Sequence, residues 1–375
     1  MTHRISTLIA LNAEPRLHRA AVCQLGRELD RWTGPAPRGS AARDEEARRL
    51  GIPADQLQLA REVSDQAAEL SASEREKAAE AGARLLTQEE EDYPRVLQDL
   101  QLPPPVLYVA GNLPNPDRPA VAIVGSREAS RYGEEAATFF ARGLAEAGVC
   151  VVSGFARGID AAAHRAALIP EQGTTVAVLG CGIGIPYPRR HDRLRKAVVE
   201  RGALVTEFPL SSEPRKWSFP IRNRVIAALT AGTLVIQAGV RSGSLITAHH
   251  ALELGREVWA VPGPVFEDGS RGPNNLIRDG AGLVQHPRDI LELLRPPRSL
   301  PLDLSPPVPR QARALPAGLG GKILERIPPG EERSPDALVE ATGLPIHRLL
   351  AELLDLELAG WLRRLPGPAY RRVLE

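Results

Sequence analysis

Apolar residues recur at helical spacing over the first 82 positions, at Leu8, Leu11, Ala20 and Leu25 and again at Leu57, Ala60, Val63 and Ala67. That spacing predicts amphipathic helices, with a Pro/Gly loop over 33–40 between the two sets. Further along the pattern changes. Short continuous apolar runs at 121–124, 149–152, 176–179, 204–205, 234–236 and 258–261 alternate with helical patterns. A continuous run suits a strand buried on both faces, and strands separated by helices form a parallel sheet. The expected fold class is therefore α/β: a Rossmann-like, doubly wound, mostly parallel sheet over 83–295, preceded by a small helical domain over 1–82.

A proline-rich stretch over 296–316 reads as a semi-rigid linker. Residues 317–375 then form a separate domain. Helices are expected over 320–327, over 334–341 capped by Ser334, and over 345–358 after a stop at Gly343, followed by a short strand pair over 361–373. This is a winged-helix pattern. It fits either a DNA-binding unit or a helical module that binds protein.

Aromatics make up 4% of the 375 residues and Met occurs once, so the cores must be aliphatic. The net charge of +1 excludes a bulk polycation, but its distribution is uneven. Residues 1–117 hold 14 Lys and Arg against 19 Asp and Glu, whereas residues 118–295 hold 22 against 17. The basic excess is almost all arginine, whose planar fork grips phosphate through two parallel hydrogen bonds. The acidic front favours a packing or protein-contact role for the N-terminal helices over contact with a nucleic-acid backbone. Cys23, Cys150 and Cys181 are too few and too scattered for a disulfide framework or a zinc site. With no signal-like segment and no run long enough to span a bilayer, a cytoplasmic location is expected.

In a parallel sheet, ligands collect where strands end and helix N-termini offer unpaired N–H groups. The loops after the first three predicted strands are Gly125-Ser126-Arg127, Ser153-Gly154-Phe155-Ala156-Arg157-Gly158-Ile159-Asp160, and Gly180-Cys181-Gly182-Ile183-Gly184. Any one of these glycines is explained by a tight turn; together, at one sheet edge, they favour an anion cradle. The three-glycine dinucleotide fingerprint is missing after the first strand, which argues against NAD or FAD and leaves no cofactor expected.

Residues 215–224 interleave Arg215, Lys216, Arg222 and Arg224 with Trp217 and Phe219, and Asn223 lies between the last two arginines. Bases stack on aromatic faces while cations follow phosphates, so this segment suits a single strand; a core role for the two aromatics stays open. The loop holding Arg241, Ser242, Gly243 and Ser244 opens another helix at the same edge. Asp160 and His164 share a helical face, but they read more simply as an N-terminal carboxylate and a packing partner. No metal-ligand spacing or nucleophile elbow is found, so no catalytic or metal residue is assigned.

Taken together, Val-Gly-Ser-Arg at 124–127, Ser-Gly-Phe-Ala-Arg-Gly-Ile-Asp-Ala-Ala-Ala-His at 153–164, Phe-Pro-Ile-Arg-Asn-Arg at 219–224, Arg-Ser-Gly-Ser-Leu at 241–245, Val-Pro-Gly at 261–263 and Gly-Pro-Asn-Asn-Leu-Ile at 272–277 resemble the DprA (Smf) family of DNA-processing proteins. The resemblance runs from about residue 92 to 284. More loosely, the helical front is similar to SAM or helix-hairpin-helix modules and the tail to the winged helices of that family.

The resemblance implies a non-catalytic homodimer that coats incoming single-stranded DNA and loads RecA onto it, in natural transformation (competence) and possibly DNA repair. It implies a DNA pocket of Gly125, Ser126, Arg127, Ser153, Gly154, Arg157, Gly158, Lys216, Phe219 and Arg241 to Ser244, to which the cationic segment adds Arg222, Asn223 and Arg224. Leu276 and Ile277 would fall near the dimer contact. Gln237 stands where the family usually has glutamate. The alternative is a Rossmann-like nucleotide phosphoribohydrolase, but the loop at 240–244 lacks the glutamate such an enzyme needs in the next turn.

Overall fold

The computed structural model describes residues 2–33, 37, 39–294, 315–328, 331–365 and 369–372. The chain divides into two compact units, residues 1–297 and 298–375.

In the first unit the apolar runs become the middle of one sheet. Its strands are β1 (Arg84–Thr87), β2 (Val106–Gly111), β3 (Ala120–Val124), β4 (Cys150–Ser153), β5 (Thr175–Val178), β6 (Ala203–Thr206), β7 (Gly232–Val235), β8 (Glu257–Ala260) and β9 (Gly282–Leu283). Their spatial order is β1-β2-β6-β5-β4-β3-β7-β8-β9. From β6 to β9 every neighbouring pair is parallel. Every residue of β4, β5, β6 and β7 is buried, as a sheet covered on both faces requires. The mostly parallel, doubly wound class is the one expected.

The antiparallel pair β1 and β2, joined to the edge of β6, was not anticipated from sequence. The run at 106–110 follows three prolines and leads into Asn112-Leu113-Pro114-Asn115-Pro116 with no helix. It therefore lacks the strand–helix alternation by which the parallel strands are recognised.

Chain order matters for function at one place. From β3 the chain steps outward through β4, β5 and β6, then crosses back so that β7 lies on the other side of β3. The helices after β3 and β7, α7 (Arg131–Glu146) and α11 (Ser244–Glu253) in full chain order, cover opposite faces. Their parting leaves a crevice at the carboxyl ends of the strands.

The preceding helices α1 (Thr2–Ala13), α2 (Arg19–Arg27), α3 (Leu29–Trp32), α4 (Ser40–Leu50), α5 (Ala54–Asp65) and α6 (Ala67–Glu80) share a core with the sheet. Leu8, Leu11, Leu25, Trp32 and Leu57 cluster with Val106, Tyr108, Ala177 and Leu204. The polar seam is satisfied too. Tyr108 Oη donates to Glu74 Oε1 at 2.7 Å, and the Glu207 carbonyl accepts from Arg19 at 2.9 Å and from Asn12 at 3.3 Å. Burial works against the charge on Arg224, but the buried Glu207 carboxylate outweighs it and holds the guanidinium above its ordinary pKa. Arg224 also donates to the Leu102 carbonyl at 2.8 Å.

The remaining helices of this unit are α8 (Ile159–Ala167), α9 (Asp192–Arg201), α10 (Ser218–Ala228), α12 (Asp268–Arg278) and α13 (Pro287–Leu294). None of the helices described is long and apolar enough to cross a membrane. Residues 295–314, most of the expected linker, lie outside the described residues.

The second unit has α14 (Leu319–Glu325), β10 (Glu332–Arg333), α15 (Pro335–Thr342), α16 (Ile346–Leu358), β11 (Leu362–Leu365) and β12 (Ala369–Arg372). Its antiparallel sheet runs β10-β12-β11. Ser334 caps α15 by accepting from the Ala337 N–H at 3.2 Å, and Gly343 ends that helix at φ 67°. Both signals are those read in the sequence. Ile323, Leu324, Leu338, Leu349, Leu353, Leu356 and Tyr370 form the core of this winged helix.

Two stability predictions follow from the first unit. Arg224→Ala strands the Glu207 carboxylate in the interior, which costs about 3–5 kcal/mol; urea denaturation reads the loss, and one below about 1 kcal/mol contradicts the pairing. His164 is fully buried on α8, bonded through Nδ1 to Thr175 Oγ1 at 2.7 Å, and burial pulls its pKa down to about 3. Its folded pKa lies below the unfolded value near 6.5, so the folded state resists protonation. The stability of wild type relative to His164→Asn should hold above pH 6.5 and fall by about 1.4 kcal/mol per pH unit below it, towards pH 3. Parallel urea curves at pH 7 and pH 5 check this; an unchanged difference contradicts it.

Candidate nucleic-acid interface

The loop after β3 is clamped from both sides. The Ser126 N–H donates to the Gln237 carbonyl at 2.7 Å, and the Ser126 carbonyl accepts from the Ile159 N–H at 3.1 Å. A Cβ on Gly125 would sit 2.6 Å from Ile159 Cγ1 and 2.8 Å from the Gln237 carbonyl oxygen, so glycine is required by the close approach. Gln237 explains its own departure from glutamate. Its Oε1 accepts from the Ser130 N–H and its Nε2 donates to Ser130 Oγ, both at 2.9 Å. Ser130 in turn caps α7. The amide thus uses its donor and its acceptor to fix the loop that ends at the α7 cap.

In the loop after β4, Ser153 is fully buried and donates to the Ile123 carbonyl at 2.6 Å. It stitches β4 to β3 and does not line the cleft. Gly154 leaves room for Arg222: a Cβ there would stand 2.6 Å from Arg222 Nη2 and 2.7 Å from Asp160 Oδ2. Gly158, at φ +74°, lies where a Cβ would meet the Ser126 carbonyl oxygen at 2.3 Å. Arg157, between these glycines, is exposed. Burial raises the Asp160 pKa, against the pull of Arg222 and of the Ala156 N–H that Asp160 accepts at 3.2 Å.

Helix α10 sorts the cationic-aromatic segment into different jobs. Phe219 lies under Arg127, whose guanidinium carbon is 4.6 Å from the ring centroid, a cation–π contact. Arg222 is buried; it donates to the Gly154 carbonyl at 2.5 Å and to the Val178 carbonyl, tying the ends of β4 and β5. Burial draws its pKa down to about 10, with Asp160 opposing. Asn223 accepts from Arg222 at 3.2 Å and donates to the Gly243 carbonyl at 3.0 Å, which anchors the loop before α11. Arg222 and Asn223 are thus tie bars at the base of the cleft. Arg224, expected in the pocket, is a correction: two residues further round the helix, it faces the N-terminal helices and is held by Glu207.

What remains open is a cleft of about 570 Å³ at the β3/β7 crevice. Gly125, Ser126, Arg127, Arg157, Lys216, Phe219, Arg222, Asn223, Ser242, Gly243 and Ser244 line it, together with Glu128, Asp160 and Thr247, which sequence reasoning did not assign there. Asp160 was read as a helix-terminal carboxylate; its proximity to Arg222, 62 positions away, leaves no local signal. Arg241 is exposed on the loop that supplies Ser242 to Ser244.

Two expected features lie elsewhere. Gly180 and Gly182 serve packing, against Phe219 and the Leu210 carbonyl respectively. Trp217 is half exposed in a neighbouring groove, its ring 6.1 Å from that of Phe208. Leu276 and Ile277 are half-buried on α12, with Leu276 against the core.

The electrostatics of the cleft follow from pairing. Many surface arginines are neutralised, as Arg131 is by Glu135 and Arg142 by Glu146. Among the described residues Arg127, Arg157, Lys216 and Arg241 have no carboxylate partner within ion-pair distance. Among the same residues no group of three or more His, Cys, Asp and Glu side chains could hold a metal ion.

The family described as "DNA recombination-mediator protein A" matches residues 84–295, and that described as "DprA winged helix domain" matches residues 306–368. Protein Smf of Escherichia coli K12 is 43% identical over 293 residues, 76% of each chain. The DNA processing protein DprA of Streptococcus pneumoniae is 41% identical over 53% of this chain and 70% of its own length. A solved structure of that S. pneumoniae protein superposes with a TM-score of 0.63 at 31% identity, covering 78% of this chain and 97% of the other. DNA processing protein A from Helicobacter pylori, whose structure is described as giving insight into a single-stranded DNA binding mode, superposes with a TM-score of 0.50 at 28% identity, over 57% of this chain and 97% of its own. The chain belongs to the DprA/Smf family of DNA recombination-mediator proteins.

Proposed function

We propose that this protein binds single-stranded DNA in the crevice between the loops after β3 and β7 and acts as a recombination mediator that protects the strand and loads RecA onto it. One observation carries the reading: Arg127, Arg157, Lys216 and Arg241 stand around one cleft, and no carboxylate there neutralises them. Unpaired cations spread over several loops suit a run of phosphates, which contributes affinity without reading sequence. Phe219 under Arg127 adds an aromatic surface at the place where a base would lie.

The acidic groups do not suit hydrolysis. Of the two carboxylates that line the cleft, Asp160 accepts the Ala156 N–H and faces Arg222, and Glu128 is exposed. The reading is therefore of a binding protein with no catalytic residue. Homodimerisation through α12 and its neighbours, near Leu276 and Ile277, belongs to the same proposal. The exposed Val265 and Phe266 in the loop before α12 offer apolar surface for it.

The test is fluorescence anisotropy with a labelled oligothymidylate over a salt series. A plot of log affinity against log salt should fall by roughly 0.7 for each phosphate contacted. Arg127→Ala should weaken binding about tenfold, near 1.4 kcal/mol, and flatten the slope by about 0.7. Arg142→Ala, whose partner is Glu146, should change neither. Equal affinity for duplex, or no effect of Arg127→Ala, contradicts the site.

Gly158→Ala is a second probe, because it removes no charge. The strained backbone and the clash with the Ser126 carbonyl should displace both loops and weaken the strand by about tenfold or more; unchanged affinity with an unchanged melting temperature contradicts the clamp. RecA delivery is read by RecA-dependent ATP hydrolysis on strands already coated by a single-strand binding protein. Wild type should shorten the lag and Arg127→Ala should not.

A further inference from the structure

In a winged helix the third helix is the element that enters a DNA major groove, and here that helix is α16. Its composition does not suit the task. Over Ile346–Leu358 the sequence IHRLLAELLDLEL carries Arg348 as its one arginine against Glu352, Asp355 and Glu357. The inward face is accounted for by Leu349, Leu353 and Leu356, all buried in the core. A second apolar row is not. Ile346, Leu350, Leu354 and Leu358 follow one another at four-residue steps and are 44%, 44%, 53% and 79% exposed.

Residues four apart lie along one ridge of a helix, and such ridges pack into the matching grooves of another helix. The row runs for three turns, about 18 Å. Helical geometry at 100° per residue puts Arg348 and Asp355 on the same flank of this row, one near each end. Both are exposed, and among the described residues neither forms an ion pair. A cation at one end and an anion at the other make the flank self-complementary when two copies lie antiparallel.

We propose that α16 is a docking helix for a second copy of this chain, paired antiparallel about a two-fold axis near Glu352. In that register Leu350 lies opposite the second copy's Leu354, Ile346 opposite its Leu358, and Arg348 within reach of its Asp355. Each contact occurs twice, as an isologous interface requires. The surface involved is smaller than the roughly 1,200–2,000 Å² of a stable interface. The pairing is therefore weak in dilute solution and becomes populated at high local concentration.

Crosslinking of the full-length chain tests this, since the native cysteines Cys23, Cys150 and Cys181 are buried. A Leu350→Cys chain and a Leu354→Cys chain carrying tags of different size are mixed at about 100 µM and mildly oxidised. The two should link to each other at least about fivefold faster than either links to itself, and much faster than a Glu340→Cys control exposed on α15. Arg348→Asp in both chains, or Asp355→Arg in both, should cut the rate about fivefold. The double exchange, Arg348→Asp with Asp355→Arg, should restore it. Because the substituted residues are exposed, an unchanged melting temperature verifies that the unit is folded.

Linking no faster than the control overturns the proposal, as does failure of the double exchange to restore the rate. A fall in duplex-DNA affinity on Leu354→Glu, without any change in crosslinking, overturns it in favour of a helix that lies on DNA.

Discussion

The order of strands imposes the constraint from which the rest follows. A sheet that winds outward from β3 and then returns to β7 must send α7 and α11 to opposite faces, and no helix can then cover the carboxyl ends of the two central strands. The crevice is a product of topology, and the side chains around it only decide what it holds. Here the main chain comes very close on both sides: Gly125 and Gly158 pack against Gln237, Ile159 and Ser126 with no room for a Cβ. That crowding makes the loops rigid, and rigid loops can hold several unpaired cations near one another.

Below the cleft a second layer of polar groups has no contact with solvent. Arg222 joins the ends of β4 and β5, Asn223 joins α10 to the loop before α11, and Gln237 joins β7 to the cap of α7. Each of these side chains meets its partners inside the protein, as buried polar groups must. The visible cations and the buried amides and guanidinium therefore divide the work, the first attracting an anion and the second fixing where it is attracted. The same segment that supplies Lys216 and Phe219 to the cleft also supplies Arg224 to the seam with the N-terminal helices. Helix α10 thereby couples the cleft to the front of the protein.

Much of this was legible in the sequence. Continuous apolar runs separated by helical patterns identify a parallel sheet, and glycine, serine and arginine at successive strand ends mark its binding edge. Arg127, Arg157 and Lys216 are found where those loops predict. The limits are equally physical. Arg222 and Arg224 are two residues apart in one charged helix, and charge alone does not say that one lies under the cleft and the other faces Glu207. Ser153 has a hydroxyl suited to phosphate, yet it is spent on the Ile123 carbonyl. Strands β1 and β2 escape because prolines surround them and no helix follows. In the second unit, the caps Ser334 and Gly343 mark the helix ends, but the exposed row on α16 emerges only once the core has claimed Leu349, Leu353 and Leu356.

Hydrogen exchange with and without a saturating oligothymidylate tests the central claim most directly, because it reports on every backbone N–H without altering a residue. The account predicts new protection in the loops at 125–130, 156–160 and 241–245 and at the start of α10, with α1 to α6 unchanged. Protection confined to the N-terminal helices or to the second unit, with the loops at the β3/β7 crevice exchanging as before, would contradict it.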